Sequence, residues 1–125
     1  MRLWKSAAMV SLLALPLAAG SVIALPAASA AAASCAEFSF TNPYLGFPME
    51  VPTATLSEGS TGPCVTILQQ DLNYTIKAHL KVDSNFGPNT LAAVKTFQGK
   101  NLGCTRGADG IAGHYTMSCL IASSG

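Results

Sequence analysis

Charged residues and histidines are scarce in this 125-residue chain, and their scarcity excludes several classes of function. Asp, Glu, Lys and Arg make up only 10% of the sequence, and there are two histidines, His79 and His114. No H-E-x-x-H zinc pair and no G-x-S-x-G nucleophile turn occurs. Lys and Arg do not form the clusters that phosphate recognition requires, so we expect no nucleic-acid partner. We also predict no enzyme activity, no cofactor and no metal.

The acidic residues do not form an obvious catalytic pair. A glycosidase needs two carboxyl groups about 5 to 9.5 Å apart across a cleft. Only Asp83 and Asp109 have matched sequence contexts, and both contexts are polar turns. A carboxylate in such a turn accepts hydrogen bonds from backbone N–H groups of its own loop. We therefore interpret both residues as structural turn residues.

The N-terminus has the pattern of a secretory signal peptide, which we place at residues 1–30. Arg2 and Lys5 precede a mostly apolar stretch from Ala7 to Leu25, and small residues follow. Cleavage is predicted after Ala30 or Ala33. Without the two leader cations, five basic residues face six acidic ones, so the mature chain has a net charge of −1.

Two alternatives to a cleaved signal peptide are disfavoured. An uncleaved membrane anchor is disfavoured by the two prolines and the small residues near its end. A lipoprotein acylated at Cys35 is disfavoured because it would leave three cysteines, and an odd number leaves one without a disulfide partner outside the cell. The expected product is secreted, and it meets the membrane only through the signal peptide before cleavage.

Four cysteines in a small exported domain indicate two disulfides rather than a metal site. Four cysteines allow three connectivities, and the sequence alone does not decide among them. Cys104 and Cys119 flank one of the polar turns, which favours pairing them with each other. Cys35 and Cys64 would then form the second disulfide.

Residues 31–54 are predicted to form an irregular N-terminal arm. Pro43, Pro48 and Pro52 each restrict the preceding residue to extended backbone, and helix-forming residues are few. The aromatic residues of this arm form either a binding strip or a packing surface against the helices, and packing is the favoured interpretation. They are Phe38, Phe40, Tyr44 and Phe47.

Three helices are predicted after the arm, in residues 55–125. Apolar residues at helical spacing indicate one helix from about Pro63 to Tyr74 and another from Pro88 to about Asn101. Proline suits the first helical turn, where its missing N–H needs no partner. The third helix is expected from His114 to Ile121, after a glycine-rich loop at 103–110, and residues 80–82 are expected to be extended.

The second helix and its preceding turn are repeated in the third. Asp83, Gly87, Thr90 and Val94 have the same spacing as a later set of four. That later set is Asp109, Gly113, Thr116 and Leu120. Two copies and a weaker echo at Gly62-Pro63 do not make a solenoid, so we expect a small helical bundle.

Three spaced motifs cover residues 56–121. They are Leu56-x-x-Gly59-x-x-Gly62-x-x-Val65-x-x-Leu68-Gln69-x-x-Leu72-Asn73, Val82-Asp83-x-x-Phe86-Gly87-x-x-Thr90-x-x-Ala93-Val94-x-x-Phe97-Gln98 and Ala108-Asp109-Gly110-Ile111-x-Gly113-x-x-Thr116-x-x-x-Leu120. Together they resemble the peptidoglycan-binding-like domain family, in the form of a small secreted single-domain protein of the actinobacterial type.

The resemblance implies an all-α, compact three-helix bundle, here stabilised by disulfides, and a non-catalytic module bound to the cell wall. The implied partner is the glycan or the stem peptide of peptidoglycan, and we expect a monomer. The alternative is a secreted protein-interaction or structural domain that keeps the fold without wall binding. Asp83, Gly87, Asp109 and Gly113 are expected to shape the two turns. The candidate ligand-binding residues beside them are Asn85, Phe86, Asn89, Thr90, His114 and Tyr115.

Overall fold

The computed structural model describes Ser34–Gly125. The proposed signal peptide and cleavage sites lie outside the described residues. Four helices are present in this part: α1 (Pro63–Ile76), α2 (Pro88–Lys100), the short α3 (Leu102–Thr105) and α4 (His114–Ser124). Two strands precede them, β1 (Glu37–Thr41) and β2 (Pro48–Pro52). Within residues 34–125, no helix combines the length and apolarity needed to cross a membrane.

The strands correct the prediction of an all-α fold with an irregular arm. β1 and β2 pair antiparallel as a hairpin, with Phe38 opposite Val51 and Phe40 opposite Met49. The apolar side chains of both strands therefore lie on one face, and Val51 is fully buried there. The prolines do not prevent pairing because Pro48 and Pro52 stand at the ends of β2, where a missing N–H is tolerated.

The three predicted helices are present, and their first residues are as expected. α1 and α2 each begin with a proline after a glycine, and α4 begins at His114 after Gly113. α1 extends two residues beyond its predicted end, and α4 extends three beyond. The segment at 80–82 forms no strand; instead the Asn73 side chain bonds both backbone groups of Leu80, at 2.6 and 2.9 Å.

The predicted loop at 103–110 overlaps α3 (Leu102–Thr105), a short helix that was not predicted from the sequence. Asn101, the expected end of α2, follows the last helical residue and has φ at −135°. Its amide donates to the Phe97 carbonyl at 2.9 Å, and its own carbonyl accepts from Cys104 and Thr105. These bonds turn the chain directly from α2 into α3.

The core lies between the three long helices and the hairpin. It is made of buried aliphatic, aromatic and sulfur side chains from every one of these elements. The largest fully buried side chains in it are Phe86, Phe97, Leu68, Leu72, Met117 and Leu120. Two disulfides join Cys35 to Cys64 and Cys104 to Cys119, which is the favoured pairing.

Candidate functional site

The first repeated turn is held by the side chain of Gln69, which reaches it from α1. The Gln69 oxygen accepts from the backbone N–H groups of Asp83 and Ser84, both at 3.1 Å. Its amide donates to the Asp83 carboxylate at 3.0 Å and to the Asn85 carbonyl at 2.9 Å. The Thr90 hydroxyl on α2 also accepts from this amide, at 3.1 Å. One buried glutamine thus fastens the turn to two helices.

The second turn is built in the same way, with Gln98 of α2 in the place of Gln69. Its oxygen accepts from the Gly110 N–H at 2.8 Å. Its amide donates to the Asp109 carboxylate at 3.2 Å, to the Ile111 carbonyl at 3.0 Å and to the Thr116 hydroxyl at 2.9 Å. The repeat seen in the sequence is therefore a repeat of hydrogen-bond networks.

The segment at 56–61 pairs with both turns. Leu56 forms an isolated antiparallel bridge with Ala112, and Thr61 forms one with Asn85. The backbone of Phe86 is bonded to this segment: its N–H donates to the Ser60 carbonyl, and its carbonyl accepts from the Gly59 N–H, each at 2.9 Å. The segment therefore links the two turns through backbone hydrogen bonds.

The aspartates act as acceptors within the turns. Asp83 accepts from the Asn85 N–H at 3.0 Å, and Asp109 accepts from the Ile111 N–H at 2.9 Å. The Gln69 side-chain hydrogen bond, followed by that from the Asn85 backbone, holds the pKa of Asp83 below its ordinary value of 3.8. A carboxylate that is held in its ionised form is a poor general acid.

Each turn borders a groove, and the two grooves have equivalent linings. The first has a volume of about 190 Å³ and the second about 230 Å³. Six positions in each correspond at the same spacing. They are Asp83 with Asp109, Asn85 with Ile111, Gly87 with Gly113, Pro88 with His114, Asn89 with Tyr115 and Thr90 with Thr116.

The first groove continues into a larger depression. This depression has a volume of about 380 Å³ and shares Leu80 and Asn89 with the first groove. Apolar residues from the end of α1 and the middle of α2 line much of it, including Ile76 and Ala93. The first groove thus joins a polar turn to a partly apolar surface between α1 and α2.

The six candidate ligand-binding residues divide into two groups. Asn85 and Asn89 are exposed at the first groove, and His114 and Tyr115 are partly exposed at the second. Phe86 and Thr90 are only 2% and 3% exposed. Phe86 packs in the core. Thr90 borders the first groove, but its hydroxyl is bonded to Gln69.

Aromatic residues of the hairpin surround the start of α4. The His114 ring has its centroid 4.7 Å from that of Phe38, and the Tyr115 ring stands edge-on to Phe40 at 5.3 Å. Tyr115 therefore packs against the hairpin. Phe38 and Phe40 therefore pack against the helical part of the domain, which is the favoured interpretation of the arm aromatics. Tyr44 and Phe47 do not follow it, since they are 69% and 50% exposed.

The central role of the two glutamines was not predicted from the sequence. Each follows a fully buried helix residue, Leu68 or Phe97, and each precedes a repeated aspartate by fewer than fifteen residues. A glutamine on a helix face that is otherwise mostly apolar was the available signal, because a buried amide needs partners. Within residues 34–125, no group of three or more His, Cys, Asp or Glu residues is arranged to hold a metal ion.

Comparison with known proteins identifies the repeated unit. The model of the family described as "Putative peptidoglycan binding domain" matches residues 61–120. The solved structure titled "The crystal structure of SleB N-terminal domain" is 31% identical, with a TM-score of 0.54. The alignment covers 60% of this chain and 99% of that one. This chain belongs to the peptidoglycan-binding domain family. No curated protein matches it.

The part of the chain that matches the peptidoglycan-binding family model contains both turns and both glutamines. The hairpin lies before residue 61 and is outside that match. It is joined to the domain by the Cys35–Cys64 disulfide and by Asn42, whose amide donates to the Ser118 hydroxyl of α4 at 2.9 Å. The hairpin is therefore an addition that is firmly docked on the family domain.

Proposed function

We propose that this protein is a secreted, non-catalytic module that binds peptidoglycan in the cell wall. The observation that carries the proposal is the pair of equivalent grooves, each beside a turn within the family match at 61–120. Rigid turns fixed by buried glutamines are suited to holding ligand-facing side chains in place, because a preorganised site loses less conformational entropy on binding.

The two grooves offer different chemistry to a ligand. Asn85 and Asn89 present amide groups, which match the hydroxyl and acetamido groups of a glycan or the amides of a stem peptide. Tyr115 in the second groove presents an aromatic surface on which a sugar or a peptide can pack. We therefore propose that both grooves contact the wall.

The absence of catalysis is part of the proposal. Asp83 and Asp109 are the matched carboxylates, and each is hydrogen-bonded to a glutamine amide and a backbone N–H. Residues in such a role support turn structure and do not need to exchange protons during a reaction. Secretion is proposed from the signal-peptide pattern at residues 1–30, with residues 55–125 as the binding domain and the mature protein as a monomer.

A second candidate function is binding to a protein partner. It is favoured by the exposure of Tyr44 and Phe47 on the hairpin and of Leu102 on α3, at 69%, 50% and 55%. Exposed aromatic and aliphatic residues are common in protein interfaces. In this alternative the domain keeps its fold without wall binding, and the hairpin supplies the contact surface.

Co-sedimentation tests the proposal. The mature, oxidised protein is mixed with insoluble peptidoglycan that has been stripped of protein, and the suspension is centrifuged beside an inert protein of similar size. Saturable removal of the protein from the supernatant is expected, without loss of turbidity of the wall. Protein that stays in the supernatant would contradict wall binding and favour the second candidate, and falling turbidity would contradict the non-catalytic assignment.

A further inference from the structure

A further cavity lies where the hairpin turn meets α3. Its volume is about 250 Å³. It borders the second groove, with which it shares Arg106 and Tyr115. The hairpin side of the cavity is outside the family match at 61–120, so this cavity is specific to the docked hairpin. Its lining residues are Asn42, Pro43, Tyr44, Gly103, Arg106 and Tyr115.

The guanidinium of Arg106 is positioned by Tyr115. It lies 4.5 Å from the centroid of the Tyr115 ring, which in turn stands edge-on to Phe40. The backbone of Arg106 ends α3 in the left-handed region, with φ at 68° and its N–H bonded to the Leu102 carbonyl. A guanidinium held over an aromatic face keeps the N–H groups at its edge available for an acceptor.

The opposite wall is fixed by Asn42. This residue is 1% exposed, and its side-chain oxygen accepts from the Tyr44 N–H at 2.8 Å. The Tyr44 ring lies over Gly103, since a Cβ atom added at Gly103 would be 3.5 Å from Tyr44 Cε1. Tyr44 nevertheless remains 69% exposed, so its aromatic surface borders the cavity without filling it.

Charge distinguishes this cavity from the second groove. Its lining residues include one cation, Arg106, and no carboxylate, whereas the second groove also contains Asp109. An anionic group is therefore favoured near Arg106 on the hairpin side, and Asp109 repels it on the other side. The planar edge of a guanidinium matches the two oxygens of a carboxylate.

We propose that this hairpin cavity binds a carboxylate of the peptidoglycan stem peptide through Arg106, with the adjoining uncharged part of the ligand running over Tyr115 into the second groove. The inference rests on the proposed function and deepens it, because it names the charged group that is recognised. It also gives the hairpin a function besides packing. The Arg106–carboxylate contact is solvent-exposed, so its strength falls as salt is raised.

The test uses a soluble fragment and its uncharged counterpart. The mature protein is titrated with N-acetylmuramyl-L-alanyl-D-glutamate and with the same fragment in which both carboxyl groups are amides, while backbone and Arg106 side-chain NMR signals are followed. We expect saturable shifts centred on Gly103, Arg106 and Tyr115 with the acid, and about fivefold weaker binding of the diamide. Equal affinities, or no shift at these residues up to the solubility limit of the fragment, would overturn the proposal. Tighter binding of glycerol phosphate than of the acid would also overturn it, in favour of a phosphate.

Matched variants separate this inference from the proposed function. Arg106→Gln should weaken binding of the acid about fivefold and leave the affinity for the diamide unchanged. Lys100→Gln removes an equal charge from the exposed end of α2 and should change neither affinity. If wild-type protein co-sediments with peptidoglycan and Arg106→Gln binds the acid normally, only the carboxylate site fails. If wild-type protein does not co-sediment, the proposed function itself fails.

Discussion

Gln69 and Asp83 are joined twice. The Gln69 amide donates to the Asp83 carboxylate at 3.0 Å, and the Gln69 oxygen accepts from the backbone N–H of the same aspartate at 3.1 Å. Gln69 itself is only 1% exposed, so its side-chain amide depends on these partners for its hydrogen bonds. The first turn therefore depends on one side chain of α1, the helix that precedes it.

Replacing Gln69 by alanine should lower the free energy of unfolding by about 2–3 kcal/mol, since several buried or partly buried groups lose their partner. Gln70 is the matched control, because it is the next residue of α1 and is exposed. Gln70→Ala should stay within about 0.5 kcal/mol of wild type. Urea denaturation measures both, and equal effects of the two substitutions would contradict the role given to Gln69.

Asp83 and Asp71 should change stability with pH in opposite directions. The pKa of Asp83 is lowered by the Gln69 side chain, so its stabilisation is present above the unfolded value of 3.8 and is lost as the pH falls through the folded pKa. Burial raises the pKa of Asp71, against a smaller opposing effect of the Ser124 side chain. Ionised Asp71 therefore costs stability at neutral pH, and that cost disappears as the pH falls through its raised folded pKa towards 3.8.

Melting temperatures of two amide variants test these signs. Asp83→Asn should melt below wild type at pH 7, and Asp71→Asn should melt above it. Both differences in melting temperature should shrink as the pH is lowered. The Asp83→Asn difference should persist to below pH 3.8, whereas the Asp71→Asn difference should already be lost by the time the pH reaches 3.8. A stabilising Asp83→Asn substitution at pH 7 would be inconsistent with the observed turn.

Gly110 and Gly99 should respond oppositely to alanine. Gly110 has φ at 80°, and an added Cβ atom would be 2.5 Å from Leu91 Cδ1 and 3.0 Å from Lys95 Cε. We expect Gly110→Ala to destabilise the domain by about 1–3 kcal/mol. An added Cβ atom at Gly99 in α2 meets nothing within 4 Å, so Gly99→Ala should stabilise by about 0.5–1 kcal/mol. Thermal unfolding distinguishes the two, and a stabilising Gly110→Ala would refute the turn geometry.

Asn42 should control the docking of the hairpin. Its amide bonds the Ser118 hydroxyl at 2.9 Å and the Cys104 carbonyl at 3.3 Å. Asn42→Ala should therefore raise the hydrogen-exchange rates of the β1–β2 amides. Asn73→Ala also removes bonds made by a side chain to the backbone, but at the end of α1, and should leave exchange in the hairpin unchanged. Unaltered protection in the Asn42 variant would mean that the aromatic contacts and Cys35–Cys64 suffice.

Asn89 and Tyr115 occupy equivalent positions in the two grooves, and both should contribute to wall binding. Alanine at either position is expected to weaken co-sedimentation with peptidoglycan about three- to tenfold, because one polar or aromatic contact is lost. Tyr74→Ala is the control, since Tyr74 is 63% exposed on α1 and lines neither groove. If both variants bind as wild type while remaining folded, the ligand contacts do not lie in these grooves.

The helices were predictable from local signals. Glycine followed by proline opens α1 and α2, and the apolar stripe through Val94 and Phe97 is buried in the core. Thr90 lies one helical turn before Val94, and this spacing predicts its burial. Its position beside a turn had instead suggested ligand contact. Phe86 differs, because it is covered by the segment at 56–61, whose pairing with the turn has no local sequence signal.

The hairpin was not predicted because the prolines of residues 31–54 were given more weight than the alternation of apolar and polar residues there. Phe38 and Phe40 alternate with polar residues in β1, which is the strand period. The prolines at the ends of β2 mark the limits of pairing rather than its absence. The hairpin cavity was beyond sequence reasoning altogether, since Tyr44 and Arg106 come together only when the hairpin docks on α4.

The duplicated turns share a buried framework but differ in the residues that they expose, with Asn85 and Asn89 in one and Ile111 and Tyr115 in the other. A repeating polymer that occupies both grooves would benefit from avidity, because attachment at one groove raises the effective concentration of ligand at the other. Short soluble fragments, which reach one groove at a time, would then bind more weakly than intact wall. The difference in affinity between fragment and polymer thus measures how far two modest sites in one small domain act together.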